Sequence, residues 1–464
     1  MFPSRRRFSA PLESRSGGVA FSRSGETHSE LLASPELIRA DLKLLIRLMP
    51  PWSRSLRPIL IAFLLQCASV IRARAENRVD YRYEDYIEDN DRIHIRTHAV
   101  YAEQALNAQA VVKGNFVYDG ISGATPTGAA APAGSDRLPT QNFQDIRRAG
   151  SVELDWTAGR FISRPQISYS EESDYRSVGL SWNQSIEFNQ KNTILNLGVS
   201  RNFDQVTGFW LSNQTIWKDK DTWDGLIGVT QLLGPNTYVT ANFTVGVADG
   251  YLTDPYKGVH FRYDFPVDGY NADPSAAVGE NRPNQRIKQV GYLGITHFVS
   301  PLNGSVDANY RLHHDDWGIW ANTAIVQWNQ KVGEKLLISP LVRYHVQSSA
   351  DFYAPVFNGT LVDSNGVNAA LQSDGSLLFE GEAGFPGDGR AFSVPAWPQY
   401  YSADYRLSHL ETWTLGVGIH WQVHEHVSVD LAYKRYLMQG LDGVTLSSAY
   451  PQANVFTMGI GFQW

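Results

Sequence analysis

Cysteine is almost absent. The chain of 464 residues holds one, Cys67, which excludes a disulfide framework and every paired-cysteine metal or redox motif. Charged residues make up only 19%, and no long helical repeat runs through the sequence, which speaks against extended helical architectures. No Gly-x-Ser-x-Gly elbow, Walker loop or His-Glu-x-x-His helix occurs. The common hydrolase, nucleotide-binding and metalloprotease readings go with them. The expectation is a chain that is not an enzyme and has no catalytic residues, metal or cofactor; a lipid-modifying enzyme built from Ser, His and Asn on adjacent strands is the weaker alternative. Long apolar runs are scarce too. The clearest, roughly Ile59 to Ile71, is short of the about 20 residues that a helical membrane span requires.

That run sits in RPILIAFLLQCASVIRARA, preceded by Arg54 and Arg57 and followed by Ala73-Arg74-Ala75. A basic flank, a short apolar stretch and an A-x-A-like site together read as a secretory signal peptide over 49–75, cut before Glu76. Gln66 stands where a lipobox wants a small residue, so lipidation of Cys67 is the weaker alternative. Residues 1–48 are basic and Ser-rich without a strand pattern. They are expected to be a mis-assigned or disordered extension, with Met49 as the true initiator. Residues 1–75 carry 12 Lys/Arg and 5 Asp/Glu, so their removal takes the net charge from −7 to about −14. An acidic remainder is a poor partner for nucleic acid and leans towards cations.

What is abundant is aromatic side chains, at 12%, and glycine, at 39 residues, which suits strands and turns. From Val79 onward apolar residues recur with period two. In RSVGLSWNQSIEFN, Val178, Leu180, Trp182, Ile186 and Phe188 oppose Gly179, Ser181, Asn183, Ser185 and Glu187. In ETWTLGVGIHWQV, Trp413, Leu415, Val417, Ile419, Trp421 and Val423 oppose Thr414, Gly416, Gly418, His420 and Gln422. Runs such as 175–188 and 237–249 exceed the usual five or six residues of soluble sheets and match a tilted membrane-crossing strand. Trp156, Phe188, Trp328 and Trp421 near strand ends suit interfacial girdles.

Connections alternate in length. Short turns fall near 158–160, 189–192, 234–236, 301–304, 332–335 and 424–426; on the other end lie stretches near 120–149, 204–221, 250–285, 353–399 and 439–452, rich in Gly, Pro, Asn and Asp. Residues 172–174 and HHDDWG at 313–318 are the shorter members of that second set. Short periplasmic turns and long outer loops mark an all-β transmembrane antiparallel barrel of about 16 strands over 76–464, in the outer membrane of a Gram-negative bacterium. The first strand, VDYRYEDYIED, is the most charged and has a periplasmic segment as its alternative reading. YDGISGATPTGAAAP at 118–132 reads as a loop, because small residues build no core and Pro126 and Pro132 lack ladder donors. Its place after an upward strand puts it outside, where it could fold inward as a constriction or lie solvated.

At the C-terminus, Phe456, Met458, Ile460, Phe462 and Trp464 alternate to the last residue. The pattern resembles the signal by which the barrel assembly machinery recognises its clients, with Trp464 where Phe is commoner. With apolar faces towards lipid, Glu153, Asp155, Asp307, Asn309, Arg311, Arg343, His345, Asp430 and Lys434 point inward. They either brace a plugged interior or line a water-filled pore. His313, His314, Asp315 and Asp316 could ligate a transition metal, but a polar turn also wants these residues and is the favoured reading. His424 and His426 sit at a short turn and take the same discount.

The stretch YDGISGATPTGAAAP, the later SVGLSWNQSIEFNQKNTILNLGVSRNFD and the terminal strand together resemble the DUF3570 family, from about Glu76 to Trp464. The family element Asp-x-Ile/Val-Ser-Gly-Ala-Thr/Ser-Pro matches Asp119, Ile121, Ser122, Gly123, Ala124, Thr125 and Pro126. The resemblance implies an outer-membrane barrel in contact with outer-membrane lipids. Association of such proteins with small lipoproteins and redox maturation factors implies a periplasmic lipoprotein as a candidate partner. It implies no activity. The residues themselves point to a porin-like conduit for small polar solutes, or else to a scaffold barrel that binds a lipoprotein or redox partner.

Overall fold

The computed structural model describes residues 77–128, 131–132, 134–207, 216–262, 275–358, 369–371, 377–379 and 398–464. The expectations for residues 1–48 and for the signal peptide at 49–75 lie outside the described residues.

Sixteen strands form a closed antiparallel barrel in strict chain order. They are β1 (Arg78–Glu88), β2 (His94–Asn107), β3 (Ala110–Pro126), β4 (Thr140–Ala158), β5 (Phe161–Glu171), β6 (Tyr175–Phe188), β7 (Thr193–Thr207) and β8 (Trp217–Gly234). The second half is β9 (Thr237–Gly250), β10 (Gln285–Val299), β11 (Gly304–Asp315), β12 (Trp320–Val332), β13 (Leu336–Gln347), β14 (Leu410–His424), β15 (Val427–Gly440) and β16 (Gln452–Gln463). The charged first strand is a full member. It pairs with β2 on one side and with β16 on the other, Tyr83 opposite Met458, and this seam closes the cylinder. Asn77 and Trp464 exchange backbone hydrogen bonds at its base.

The alternation read from the sequence has a physical destination. Val178, Leu180 and Trp182 are 40%, 47% and 52% exposed, and Leu415 and Val417 are 50% and 41% exposed. Among the described residues no second protein layer covers them, and an apolar belt of this extent is tolerable only against hydrocarbon. Trp156, Phe188 and Trp421 lie exposed near the short-turn end, while Trp320 and Trp413 lie exposed near the long-loop end. The two aromatic levels bracket the apolar belt, as membrane interfaces require. Register shifts occur at Ala105/Asn107, Leu232/Gly234 and Gln422/His424, all beside short turns.

Two prolines sit inside strands, Pro165 in β5 and Pro340 in β13. Pro has no N–H to give. The β4–β5 ladder is interrupted between Glu153↔Gln166 and Trp156↔Ser163, and the β12–β13 ladder between Gln327↔Leu341 and Gln330↔Ile338. The register continues unshifted past both gaps.

Several boundaries differ from the sequence reading. YDGISGATP is strand rather than loop: β3 runs to Pro126, pairing residue by residue with β4 back to Thr140. Small residues are compatible with this outer end because neighbouring backbone comes close, and Pro126 occupies the last position, where a missing donor costs least. The connection therefore shrinks to 127–139. β7 likewise runs to Thr207 and β8 begins at Trp217, so that connection is shorter than expected. The connection between β13 and β14 is longer, 348–409. Within HHDDWG, His313, His314 and Asp315 belong to β11, and Trp317 with Ile319 is buried rather than part of a solvated turn.

Candidate functional site

The polar residues opposite the apolar belt form ladders around the inner wall. Lys113 on β3 reaches Asp155 at 3.0 Å and Glu153 at 3.4 Å on β4. Arg164 on β5 donates to Asp155 at 3.0 Å and to Ser185 on β6 at 3.0 Å, and Ser185 donates to Asn196 on β7 at 2.8 Å. Across the barrel, Asp307 on β11 accepts from Thr296 on β10 and Asn329 on β12, and Ser339 on β13 donates to Asn329 at 2.8 Å. Asp155–Arg164 and Asn329–Ser339 are the side-chain bonds nearest the two proline gaps. They tie together strands whose backbone ladder lapses there.

His345 hydrogen-bonds Thr323 at 2.8 Å, Arg343 donates to Thr412 at 3.2 Å, and Asp430 meets His420 at 2.7 Å. Asn309 stands in register with Gly294 and Ile325, Arg311 with Tyr292 and Thr323, and Lys434 with Gly416 and Val455. All nine sequence candidates thus share the inward parity. They do not converge on one centre, and they spread over four strands on different sides of the wall. Lys113, Glu153, Asp155 and Arg164 keep 24%, 19%, 18% and 27% of their side-chain surface exposed, so this stretch of wall is not packed solid. The sequence reading missed Lys113 and Arg164, although their parity on β3 and β5 marks them.

At the long-loop end the chain builds a buried mouth. The family element is its anchor. Asp119 accepts from Thr97 at 2.7 Å and from Arg147 at 3.1 Å, and Asp119, Ile121 and Thr125 are buried. Gly123 has φ +125°, and a Cβ there would lie 1.8 Å from the Arg92 carbonyl oxygen; the neighbouring Ala124 N–H donates to that same oxygen. Gly128 has φ +86° and approaches Gly258 equally closely. Only glycine allows these backbone contacts. Ser122 pairs with His94 on β2. The ammonium of Lys257, 1% exposed, then donates to Thr125 Oγ1 at 3.1 Å and to the Pro126 carbonyl at 2.6 Å.

Lys257 joins a cluster of buried charges from two loops. Arg282 pairs with Glu280 and donates to Asp404 at 2.7 Å; Arg406 pairs with Asp404 and reaches Asp254 at 3.1 Å. Glu280 also accepts the Asp254 N–H at 2.7 Å and the Ser402 hydroxyl. Three cations and three carboxylates thus tie residues 251–284 to 398–409. Beside them, Trp317, Ile319, Ala321, Ala350 and Leu407 form one apolar cluster, and Tyr405, Leu410, Ala449 and Tyr450 another, with Leu138 packed on the second. Arg92 donates to the carbonyls of Ser448 and Ala449, which ties in the connection between β15 and β16. No local pattern could reveal this hub, because Arg406 and Asp254 lie 152 residues apart and Arg92 and Ala449 lie 357 apart.

Burial pushes the Glu280 carboxyl up to about 7 against the pull of Arg282, and pulls the Lys257 ammonium down to about 8 against Asp404. Burial also opposes the charge of Asp404, but Arg406 and Arg282 outweigh it and hold that carboxyl far below its usual range. For Glu280 the folded chain keeps a proton that the unfolded chain has released above about 4.5. Its contribution is therefore present below that pH and is lost as pH rises through 7. Residues 251–284 are expected to resist protease better at pH 5 than at pH 8, with Glu280→Gln flattening the difference. Equal wild-type protection at the two pH values would contradict this.

Of the histidines singled out from sequence, His424 and His426 lie with ring centroids 5.6 Å apart at their short turn, whereas His313 and His314 diverge. His313 contacts Asp315 at 3.2 Å, whereas His314 points to the other face and packs on Trp320. Asp315 is spent on Arg286 and on the Trp317 and Ile319 N–H groups. His426 bonds the Gln463 carbonyl at 2.9 Å.

A closed sixteen-strand barrel with an apolar exterior, polar inner wall and long loops on one end is an outer-membrane β-barrel protein. The chain belongs to the family described as "Protein of unknown function (DUF3570)", which matches residues 64–455. No curated protein matches the sequence. Among solved structures, a bacterial polysaccharide outer membrane secretin is similar over 84% of this chain and 98% of its own, at 7% identity and TM-score 0.42. CdiB from Acinetobacter baumannii is similar over 85% and 61%, at 8% identity and TM-score 0.45. The CymD monoaromatic hydrocarbon channel is similar over 86% and 92%, at 8% identity and TM-score 0.35.

Proposed function

We propose that the barrel is a conduit for small polar solutes whose outer mouth is narrowed by its own packed loops. The supporting observation is the inner wall: ionised side chains of both signs retain exposure there, in a cylinder of a strand number that leaves room for an aqueous channel. Purified protein in planar bilayers is expected to give discrete conductance steps. Charge removal by Glu153→Gln with Asp155→Asn should shift its reversal potential away from cations. A protein silent under all voltages would overturn the conduit reading.

The buried hub at the mouth favours a second reading, a scaffold barrel with a filled interior that binds a periplasmic lipoprotein or redox partner. Stoichiometric copurification of such a partner together with absent conductance would support it.

A further inference from the structure

The outer end of β4–β6 gathers three carboxylates that neither the wall ladders nor the mouth hub employs. Asp145 lies on β4; Glu172 and Asp174 lie on the three-residue connection between β5 and β6. They are 8%, 5% and 9% exposed. One oxygen from each lies within 4.8 Å of the others. Two oxygens bound to one calcium ion at 2.3–2.6 Å can be at most about 5 Å apart, so the spacing is that of ligands to a single ion.

A second observation comes from the Asp145 carboxylate. Its Oδ1 accepts the Ile146 N–H at 2.7 Å and the Ser173 N–H at 3.3 Å. Its Oδ2 is buried and has no hydrogen-bond partner. A buried carboxylate oxygen without a donor is costly, and such atoms call for an explanation. The nearby cation does not supply one. Arg147 donates to Asp119 at 3.1 Å and to Ser170 at 3.2 Å, and approaches Glu172 only to 3.9 Å. The Arg147 guanidinium is thus committed to Asp119 and Ser170, and Asp145 Oδ2 is left without a donor.

We propose that Asp145, Glu172 and Asp174 hold one divalent cation of the calcium class at the outer end of the barrel. The ligands are all oxygen, with no His or Cys, which selects a hard cation. A spacing this broad suits the larger and less demanding calcium coordination sphere, with water filling the remaining positions. The ion pins the tight β5–β6 connection to β4, beside the Asp119–Arg147 pair of the family element. Outward-facing modules of this type bind calcium with Kd about 10⁻⁴–10⁻³ M.

The test is calorimetric titration of calcium into the full chain, purified in detergent free of lipopolysaccharide and stripped with chelator. Saturable one-site binding in that range is expected, with Asp145→Asn weakening it by about 10-fold or more and the exposed Asp136→Asn leaving it unchanged. Calcium should also raise the temperature at which wild-type barrel loses its compact gel mobility, and do so less for Asp145→Asn. Should Asp145→Asn fail to fold, Glu172→Gln replaces it with the same expected loss. The proposal is overturned if the wild type shows no saturable binding up to about 10 mM, or if the folded variant binds as tightly as the wild type.

Discussion

Gly123→Ala is expected to dislodge the outer end of β3 while sparing the barrel below it. A non-glycine residue at φ +125° costs about 1–3 kcal/mol by itself. The added methyl would also sit 1.8 Å from the Arg92 carbonyl oxygen, a backbone atom that cannot swing away. Separation of the two segments breaks the Ala124–Arg92 bond and moves Thr125 and Pro126, the two acceptors of the Lys257 ammonium. Limited proteolysis should then cut the outer connections sooner, with the heat-resistant barrel band retained. Gly114→Ala on the same strand, where nothing lies within 4 Å of the new methyl, provides the control. Indistinguishable digestion of the two variants would refute this account of the family element.

Arg406→Met should have the second large effect, about 3–5 kcal/mol of lost stability at the mouth. Arg406 pairs with Asp404 and Asp254, both buried, and its removal strands two carboxylates that Arg282 and Lys257 alone cannot balance. Methionine keeps the apolar stem, so the loss isolates the charge. The hub joins residues 251–284 to 398–409, and its failure should let the two loops part. In bilayers the variant is expected to conduct more than the wild type. Unchanged conductance alongside freed loops would mean that the constriction lies in the wall, not the mouth; unchanged protease sensitivity would mean that the hub does not hold the loops.

The strands were legible because alternation is a local property imposed by a global solvent difference. Val178, Leu180 and Trp182 announce a lipid face within five residues, and the inward parity of Asp155 or Arg343 follows from the next residue along. The resemblance through Asp119 to Pro126 was legible too, but its structural role was not. Small residues and two prolines read as loop when the only criterion is local. The structure instead uses Gly123 and Gly128 as close-approach points in strand and turn, a requirement set by Arg92 and Gly258. Similarly, Pro165 and Pro340 look like strand breakers, yet side-chain bonds beside them hold the sheet together.

The chain order of apolar and polar residues by itself determined a cylinder in hydrocarbon: strand number, handed alternation of turn lengths, and which side chains face the axis. Only the tertiary structure decided how the mouth is built and where Asp145 meets Glu172 and Asp174. A membrane-facing strand needs nothing beyond its own two faces to declare itself. A buried charge cluster exists through partners more than a hundred residues away, and those meetings are fixed by barrel closure and loop packing.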